Sequence, residues 1–403
     1  MFYGVDYLKA KLEEKRSRVN VRYKYYDMKH VALDFQISTP PTLRAWMNCL
    51  GWCAKAVDSL ADRLVFREFA DDNYNLNEIF RMNNPDIMID SAILGALISS
   101  CDFIYISADE SGYPQMQVVD GANATGIIDP ITGMLQEGYA VLDRDEMGAP
   151  TIEAYFVPGE TQFFYSDTAE VRVIGNEAPY PLLVPIINRP DAIRPFGRSS
   201  ISRACMSIVD SAMRTVKRSE ISAEFYSIPQ KYVLGTDPDA ETMEPWTAAM
   251  SAVLQISKDE DGDKPTVGQF QQQSATPHIE QLKMFAGLFA GETGLTLDDL
   301  GFASGNPASS EAIKAAHENL RLKAKAAQRS FGSGLLNAGY LAACVRDKQA
   351  YKRNQFYLTT PKWEPVFEPD SSAMSGIGDA AIKLQQSFPD YFDEEKLKDL
   401  MGI

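Results

Sequence analysis

Residues 196–227 read FGRSSISRACMSIVDSAMRTVKRSEISAEFYS, and the rest of the chain is best understood from this stretch. Apolar residues recur in it with the period of a helix, at Ile201, Cys205, Ile208, Val209, Ala212 and Val216. Ser199 or Ser200 can cap this helix, and Pro229 stops it. At 1.5 Å per residue the helix would be roughly 40 Å long, which is more than a small domain needs. The pattern therefore predicts a helix with a role beyond local packing.

A second long helix is predicted on the C-terminal side. Thr276 can cap it, Pro277 falls in its first turn, and it ends near residues 291–294. Its apolar stripe consists of Ile279, Leu282, Phe285 and Phe289. The two helices enclose residues 230–275, which begin with the strand-like QKYVLG and carry eight acidic residues against three lysines. We therefore expect an acidic insert between two long helices.

The chain beyond the second helix is predicted to be mostly helical. Residues 295–309 are rich in Gly, Asn and Asp, which is typical of an exposed loop. Residues 311–345 are rich in Ala and predict a third long helix. The region from Lys314 to Arg353 contains nine Lys or Arg residues and is the one clearly basic segment. A strand within residues 355–369 and an acidic helical tail follow.

The first half of the chain combines helices with short strands. Residues 41–69 predict one amphipathic helix, and residues 75–97 predict helical structure that breaks at Asn84 and Pro85. Seven β-rich runs then follow at intervals of about ten residues and predict an antiparallel meander: FIYIS, QMQVVD, ATGIID, GYAVLD, TIEAYFV, FFYSD and VRVIG. The proline-rich residues 180–197 are interpreted as a link. The predicted fold class is α+β.

Charge and composition narrow the function. The 403 residues include 39 Lys and Arg against 55 Asp and Glu, a formal net charge of −16, which argues against a conventional basic nucleic-acid binder. No stretch approaches the ~20 consecutive apolar residues of a membrane span, so we expect no membrane partner. The first residues, MFYGVDYLKAKLEEKRSR, do not resemble a secretory signal, and we expect the protein in the cytoplasm.

The sequence contains no recognisable catalytic or metal-binding motif. None of its three histidines lies in such a motif, and neither a phosphate-binding Gly-Lys-Ser/Thr loop nor a Gly-x-Ser-x-Gly elbow occurs. Cys49 and Cys53 could share a metal but lack further ligands, and we expect the five cysteines to be buried, reduced thiols. The acidic run at residues 259–263 has its glycine misplaced for an EF-hand. We predict a protein that is not an enzyme and needs no cofactor or metal.

Six strings carry a resemblance to a known family and occur in order along the chain. They are YYDMKH from Tyr25, ADRL from Ala61, FGRSSISRACMSIVDSAMRT from Phe196, SAEFYSIPQKYVLG from Ser222, AGETGL from Ala290 and GNPASSEAIKAA from Gly305. By their joint order and spacing the chain resembles the portal proteins of tailed double-stranded DNA bacteriophages, in the long-tailed branch. The resemblance implies a dodecameric ring at one capsid vertex, through which the genome is packaged and later ejected.

The same resemblance implies a division of the chain. Residues 1–196 would form the N-terminal part of a wing, 197–227 and 276–294 two stem helices, 228–275 a clip, 295–309 a tunnel loop, 310–369 a wing helix and returning strand, and 370–403 a short crown-like tail. The implied partners are terminase and a head completion or adaptor protein on the clip, the major capsid and scaffolding proteins, and duplex DNA that passes without sequence-specific binding. The protein would be located in the virion after assembly in the host cytoplasm.

The candidate functional residues follow from this division. The tunnel loop would line the channel through Asp298, Asp299, Leu300, Phe302, Asn306 and Pro307. The clip would dock partners through Trp246, Asp259, Glu260, Asp261 and Asp263. For the cations of the basic helix we favour pairing with acids of the neighbouring subunit over a grip on DNA, through Lys314, Arg321, Lys323, Lys325 and Arg329.

Several alternatives stay open from the sequence. The acid excess fits a channel that repels the phosphates of DNA, but it also fits a charge that simply keeps the protein soluble. A different ring or shell protein of the virion would share the α+β content. An enzyme of the host cytoplasm would need a catalytic set that the sequence does not display.

Overall fold

The computed structural model describes residues 2–33, 41–168, 170–227, 231–234, 266–269, 274–302, 310–367 and 371–387. Within these ranges the α-helices are α1 (Val5–Tyr26), α2 (Trp52–Ala61), α3 (Leu76–Met82), α4 (Pro85–Ser99), α5 (Arg203–Ser227), α6 (Thr276–Thr293), α7 (Ser310–Ala316), α8 (Glu318–Asp347) and α9 (Ser371–Ser387). The strands are β1 (Phe66–Ala70), β2 (Cys101–Ala108), β3 (Pro114–Val119), β4 (Ala124–Ile128), β5 (Leu135–Arg144), β6 (Pro150–Val157), β7 (Glu160–Tyr165), β8 (Val171–Gly175), β9 (Leu183–Ile187), β10 (Lys231–Leu234), β11 (Thr266–Gln269) and β12 (Thr360–Trp363).

The strands form four antiparallel sheets, which confirms the predicted α+β class. A five-stranded meander runs in the order β4-β5-β6-β7-β8, and a three-stranded sheet has the order β3-β2-β9. The pairs β1-β12 and β10-β11 form two smaller sheets. In the meander, β8 is an edge strand whose five residues are all exposed. At the other edge, the Nζ of Lys11 in α1 donates a 2.6 Å hydrogen bond to the carbonyl oxygen of Gly126 in β4.

The long helix α8 lies at the centre of the core. It packs against β9 and β12, and close approach is possible because small residues face the sheets. A Cβ atom at Gly334 would lie 2.9 Å from the Cδ1 of Ile186, and one at Gly332 would lie 2.7 Å from the Cγ of Pro361. The Ala- and Gly-rich composition of this helix therefore follows from its tight contact with two sheets.

Two predictions for the N-terminal half were wrong. Residues 41–69 do not form one helix, because α2 begins only at Trp52 and ends at Ala61, after which β1 pairs with β12 at the far end of the chain. The proline-rich residues 180–197 are not only a link, because they contain β9. Pro185 is tolerated there since β9 lies at the edge of its sheet, where one side of the backbone needs no partner.

The helical break at Asn84 and the meander were predicted correctly, apart from one regrouping. The runs FIYIS and QMQVVD form β2 and β3 and belong to the sheet with β9, whereas the other five runs form the meander. The N-terminal helix α1 was not predicted at all. Most of its residues are polar or charged, which obscures the helical apolar period, and only four of its side chains are buried: Leu8, Leu12, Val19 and Tyr25.

Four of the five cysteines are buried and all five are free thiols, but Cys49 is exposed, which corrects the prediction that every cysteine is buried. The exposed thiol lies before α2 begins, in a segment without regular structure. In the parts of the chain that the structure describes, no helix is both long enough and apolar enough to cross a membrane. Within the same parts, no three His, Cys, Asp or Glu side chains are grouped to hold a metal ion.

Candidate functional site

Helices α5 and α6 form an antiparallel pair. The hydroxyl of Ser202, just before α5, donates a 2.8 Å hydrogen bond to Oε1 of Glu292 near the end of α6. Further along α5, the hydroxyl of Thr215 donates to Oε1 of Gln281 at 3.2 Å. The hydroxyl of Ser222 lies 3.4 Å from Nε2 of His278, at the start of α6. These three contacts show that the two helices run in opposite directions.

Along the chain, a two-stranded sheet lies between the end of α5 and the start of α6. Strands β10 and β11 are antiparallel and pair Lys231 with Gln269 and Leu234 with Thr266. The chain thus runs out along α5, passes through this sheet and its insert, and returns along α6. Five predicted docking residues of the insert lie outside the described residues: Trp246, Asp259, Glu260, Asp261 and Asp263.

The first of the two helices begins slightly later than predicted. Helix α5 starts at Arg203, and its cap is Ser202, whose hydroxyl accepts a 3.1 Å hydrogen bond from the backbone N–H of Cys205. Ser199 and Ser200 instead bind the end of α4, through the carbonyl oxygens of Ile98 and Leu97. The first turn of α5 is therefore fixed to the body of the protein.

The helix predicted from Thr276 starts there, with Thr276 as its first helical residue. Ala275 occupies the N-cap position and no side chain caps the helix, although the hydroxyl of Ser274 accepts a 3.1 Å hydrogen bond from the Thr276 N–H. The helix ends at Thr293, and Gly294 follows with a positive φ of 81° that a residue with a side chain rarely adopts. The predicted end of this second helix is confirmed, whereas the prediction that Thr276 caps it was wrong, because Thr276 is already helical.

Asp210 in the middle of α5 ties the helix pair to α1. Its Oδ1 accepts a 2.8 Å hydrogen bond from the hydroxyl of Tyr25 and lies 2.8 Å from Nε2 of His30. The two rings stack with their centroids 3.8 Å apart. Burial and then the carboxylate of Asp210 raise the pKa of Tyr25, so its hydroxyl keeps the proton that it donates. Sequence reasoning missed this contact, although YYDMKH and the string containing Asp210 both carry the family resemblance.

The segment after α6 is fixed at its start by Asp299. The carboxylate Oδ2 accepts hydrogen bonds from the backbone N–H and the hydroxyl of Thr296, at 2.8 Å and 2.9 Å. It also lies 3.2 Å from Nε2 of His317, which separates α7 from α8. Burial alone would raise the pKa of Asp299, but the hydrogen bonds from Thr296 and His317 outweigh burial and lower that pKa. One carboxylate therefore joins the start of the predicted tunnel loop to the junction between α7 and α8, eight residues beyond the end of that loop.

The other predicted tunnel-loop residues differ in their surroundings. Leu300 is buried and Phe302 is half-buried against the main core, whereas Asp298 is exposed. Asn306 and Pro307 lie outside the described residues. Leu300 and Phe302 thus anchor the start of the loop, and the channel role of the segment stays a prediction.

The predicted inter-subunit cations do not share one environment. Arg321 binds Glu318 of its own chain at 2.6 Å, and the Nζ of Lys323 donates to the carbonyl oxygens of Glu292 and Thr293 at 2.9 Å and 2.7 Å. Lys323 thereby satisfies carbonyl groups at the C-terminal end of α6. Lys314 is half-buried in α7.

Two of these cations are left facing solvent. Lys325 and Arg329 are exposed, and no ion pair joins them to a carboxylate of the described residues. A role in contacts between subunits stays a prediction for the whole set, and these two positions are the ones most open to it.

Charge along the helix pair is balanced. Helix α5 carries four basic and three acidic side chains, and α6 carries one basic and two acidic side chains, not counting histidine. The acid excess of the whole chain is therefore not located on these two helices. Both interpretations of that excess, a repelling channel and simple solubility, stay open.

One face of α6 is apolar and uncovered. Within the predicted stripe Phe289 is buried and Leu282 and Phe285 are half-buried, but Ile279 is 58% exposed. On a different side of the helix from Ile279, Met284 and Leu288 are 52% and 54% exposed, and Gly287 and Gly291 lie on that same side. A Cβ atom at Gly287 or Gly291 would meet nothing within 4 Å. The subunit alone therefore leaves apolar surface of this helix in water.

The fold and the helix pair define a class of α+β proteins in which two antiparallel helices flank a small β-sheet along the chain. Residues 5–366 match the family model described as phage portal protein, SPP1 Gp6-like. The chain belongs to this portal family, which confirms the resemblance seen in its sequence. Portal proteins are structural components of the virion.

Two curated relatives are portal proteins of mycobacteriophages. The portal protein of Mycobacterium phage D29 is 24% identical over 422 residues, with 98% of this chain and 85% of the relative covered. That of Mycobacterium phage L5 is 24% identical over 400 residues, with 94% and 81% covered.

Solved structures that align with most of this chain come from gene transfer agent (GTA) particles. The neck of a native GTA particle computed with C12 symmetry gives a TM-score of 0.45 at 12% identity, with 87% of this chain and 89% of that chain covered. The neck of an empty GTA particle computed with C6 symmetry gives a TM-score of 0.48 at 14% identity, with 87% and 90% covered.

Proposed function

We propose that this portal protein forms a dodecameric ring at one capsid vertex and that the phage genome is packaged and ejected through the centre of the ring. Residues 1–196 and 310–369 would form the wing, α5 and α6 the stem, and residues 228–275 the clip. Terminase and then a head completion or adaptor protein would dock on the clip. The major capsid and scaffolding proteins would surround the ring. The family assignment alone does not specify these roles, and none of them requires an enzymatic activity.

The observation that carries the proposal is the uncovered apolar face of α6. Burying apolar surface is favourable by about 25 cal/mol per Å², so Met284 and Leu288 gain from a contact that the single subunit does not supply. Gly287 and Gly291 leave room for another helix to approach closely. A neighbouring copy packed side by side would cover this face, and repetition of such a contact by rotation closes a ring.

The balanced charge of the helix pair supports a wall along which DNA can slide. A lattice of unpaired cations would hold the duplex, because even non-specific binding at ~10⁻⁵ M corresponds to a well of about 7 kcal/mol. Helices α5 and α6 together carry equal numbers of basic and acidic side chains, so they offer no such lattice. DNA would therefore pass without sequence-specific binding.

Electron microscopy of the purified protein tests the proposal. Negative-stain images of the wild type should show rings with an open centre. The double variant Met284→Glu/Leu288→Glu should stay folded but need at least about tenfold more protein to assemble, because it places carboxylates on the surface that the neighbour buries.

A matched control separates this effect from general surface charge. Ile131 is 91% exposed in the turn between β4 and β5, and Ile131→Glu should assemble like the wild type. Wild-type particles with a solid centre, or protein that remains a single chain at every concentration, would contradict the proposal.

A further inference from the structure

Six cations gather beside the N-terminal helix. Lys11, Lys15, Arg18 and Arg22 recur every three or four residues along one side of α1, and Arg194 and Arg203 approach from the segment that leads into α5. The Nζ atoms of Lys11 and Lys15 lie 5.3 Å and 4.7 Å from the ring centroid of Phe196. We call these six residues the basic cluster. They are concentrated on a chain whose net charge is −16.

The basic cluster is poorly neutralised within the subunit. Among the residues that the structure describes, its one ion pair joins Arg18 to Glu14 at 3.3 Å, between two exposed side chains. The Nη1 of Arg22 reaches the carbonyl oxygen of Ser99 at 3.3 Å, and its Nε is buried with no hydrogen-bond partner.

Burial and neighbouring positive charges lower the pKa values of two residues in the basic cluster. Burial, followed by the charge of Lys15, lowers the pKa of Lys11 to about 8, against the weaker opposing effect of the Glu137 carboxylate. Burial also lowers the pKa of Arg22, and the neighbouring Arg18, Arg203 and Arg194 lower it further. A group of partly buried like charges is unfavourable until an anion joins it.

An acidic counterpart exists elsewhere on the chain. Asp86 and Asp90 lie in the first turns of α4, and Asp62 lies at the end of α2; all three are exposed. No ion pair neutralises them in the described ranges. Partial burial, followed by Asp86 and Asp62, raises the pKa of Asp90. We call these three residues the acidic cluster.

The two clusters lie at opposite ends of one helix. Helix α4 has 15 residues and is roughly 22 Å long, with Asp86 in its first turn and Ser99, the partner of Arg22, as its last residue. This distance exceeds the ~10 Å over which exposed charges act at 0.1 M salt. The clusters therefore cannot neutralise each other within one subunit.

We propose that, in the assembled ring, the basic cluster of each subunit binds the acidic cluster of the next subunit. A ring is built from a heterologous contact, which needs two different and complementary surfaces on the same chain. The two clusters meet that requirement, and each has an exposed apolar residue next to it. Ile193 is 89% exposed beside Arg194, and Ile87 is 76% exposed beside Asp86.

This inference rests on the proposed ring and adds the surfaces that fix the order of its subunits. Duplex DNA is the other polyanion that the protein meets. A neighbouring subunit is favoured because Lys11, Lys15 and Arg22 are half-buried and better placed for short carboxylate side chains than for a wide duplex. Within the described part of the chain the acidic cluster also forms no ion pair, and DNA binding would not supply one.

Charge reversal tests the proposal. Arg194→Glu/Arg203→Glu and Asp86→Lys/Asp90→Lys should each raise the protein concentration needed for half-assembly by at least about tenfold, measured by mass photometry. The variant that carries all four changes should assemble within about threefold of the wild type, because the reversed clusters attract each other again. Arg172→Glu/Lys348→Glu, a reversal of two exposed cations elsewhere, should assemble normally.

The outcomes distinguish this inference from the proposed function. Wild-type protein that never forms rings would overturn both. Rings formed equally by the wild type and both double variants would overturn the inference and leave the function standing. The inference would also be overturned, with the function left standing, if the quadruple variant did not regain assembly. The same conclusion would follow if Arg194→Glu/Arg203→Glu assembled normally and only failed to retard duplex DNA in a gel. Rescue itself excludes misfolding as the cause of the losses.

Discussion

Asp102 shows how a single carboxyl group can make stability depend on pH. Its side chain is 2% exposed at the start of β2, where Oδ1 accepts hydrogen bonds from the Ser99 hydroxyl and the Gly121 N–H, both at 3.0 Å. Burial, and next the charge of Asp120, raises the pKa of Asp102 to about 8, against the weaker opposing effect of those hydrogen bonds. The folded protein therefore holds a proton here that the unfolded chain has released.

The free energy of unfolding should fall as pH rises from about 4 to about 8. In that window the native state binds one more proton at Asp102 than the unfolded state, so this group removes up to about 1.4 kcal/mol per pH unit. Asp102→Asn should remove this contribution, because the amide does not ionise. Urea unfolding at several pH values measures the slope for each protein.

The exposed carboxylate of Glu110, two residues beyond β2, supplies a control of the same chemistry. Glu110→Gln should retain the pH slope of the wild type. An unchanged slope in Asp102→Asn would show that the proton is held elsewhere.

At the level of elements, the junction between α6 and α8 depends on one ammonium group. Lys323 donates hydrogen bonds to the carbonyl oxygens of Glu292 and Thr293, which α6 itself leaves without partners. Lys323→Met should lower the free energy of unfolding by about 1 kcal/mol, because a charged donor at a helix C-terminus is lost.

Chemical denaturation of the unassembled subunit checks this value. Lys325→Met, two residues away at an exposed position, is the comparison and should change stability by less than about 0.5 kcal/mol. Equal losses in the two variants would argue against a specific role of Lys323.

The elements that the sequence predicted well have local signals. Each of these signals lies in the element that it predicts or directly beside it. They are the apolar period of α5, Pro277 in the first turn of α6, and the helical break at Asn84. The alternating β-rich runs likewise lie next to their hairpin partners, and the meander follows from them.

The elements that were missed depend on distant partners. Strand β1 was taken as the end of a helix because its partner β12 lies almost at the other end of the chain. The hydrogen bond between Tyr25 and Asp210 joins residues 185 positions apart, so no sequence period reveals it. In the candidate site, the helices could be predicted from the sequence. The contact of Asp299 with His317 and the different surroundings of Lys323 and Lys325 could not, because they depend on how separate elements pack.

At the scale of the whole molecule, exposed cations of α8 offer a further test of how subunits meet. Lys325→Glu/Arg329→Glu should weaken ring assembly more than it weakens affinity for duplex DNA, if these side chains pair with acids of a neighbour. Size measurement and a salt-dependent DNA-binding assay separate the two effects. A variant that assembles normally but binds DNA less tightly would favour the grip on DNA instead.

The predicted tunnel loop can be tested without disturbing its anchors. Deleting residues 301–305 retains both Asp299 and His317, whose side chains are in contact, but shortens the segment that connects these two residues. Rings should still form, while genome packaging or retention should be impaired. DNA content of particles made with the variant portal provides the measurement, and normally filled particles would count against a channel role.

The bare edge strand β8 has a consequence for the protein before it assembles. Val171, Val173 and Ile174 are 56%, 54% and 42% exposed on a strand whose outer side pairs with no strand of the residues that the structure describes. Such an edge is a template for another extended chain, and the central Arg172 is the kind of charge that discourages intermolecular β-pairing. Free subunits therefore have two competing fates, productive oligomerisation and aggregation through this edge. High ionic strength should shift the competition toward aggregation, because salt screens attraction between charges but not hydrogen bonding between strands.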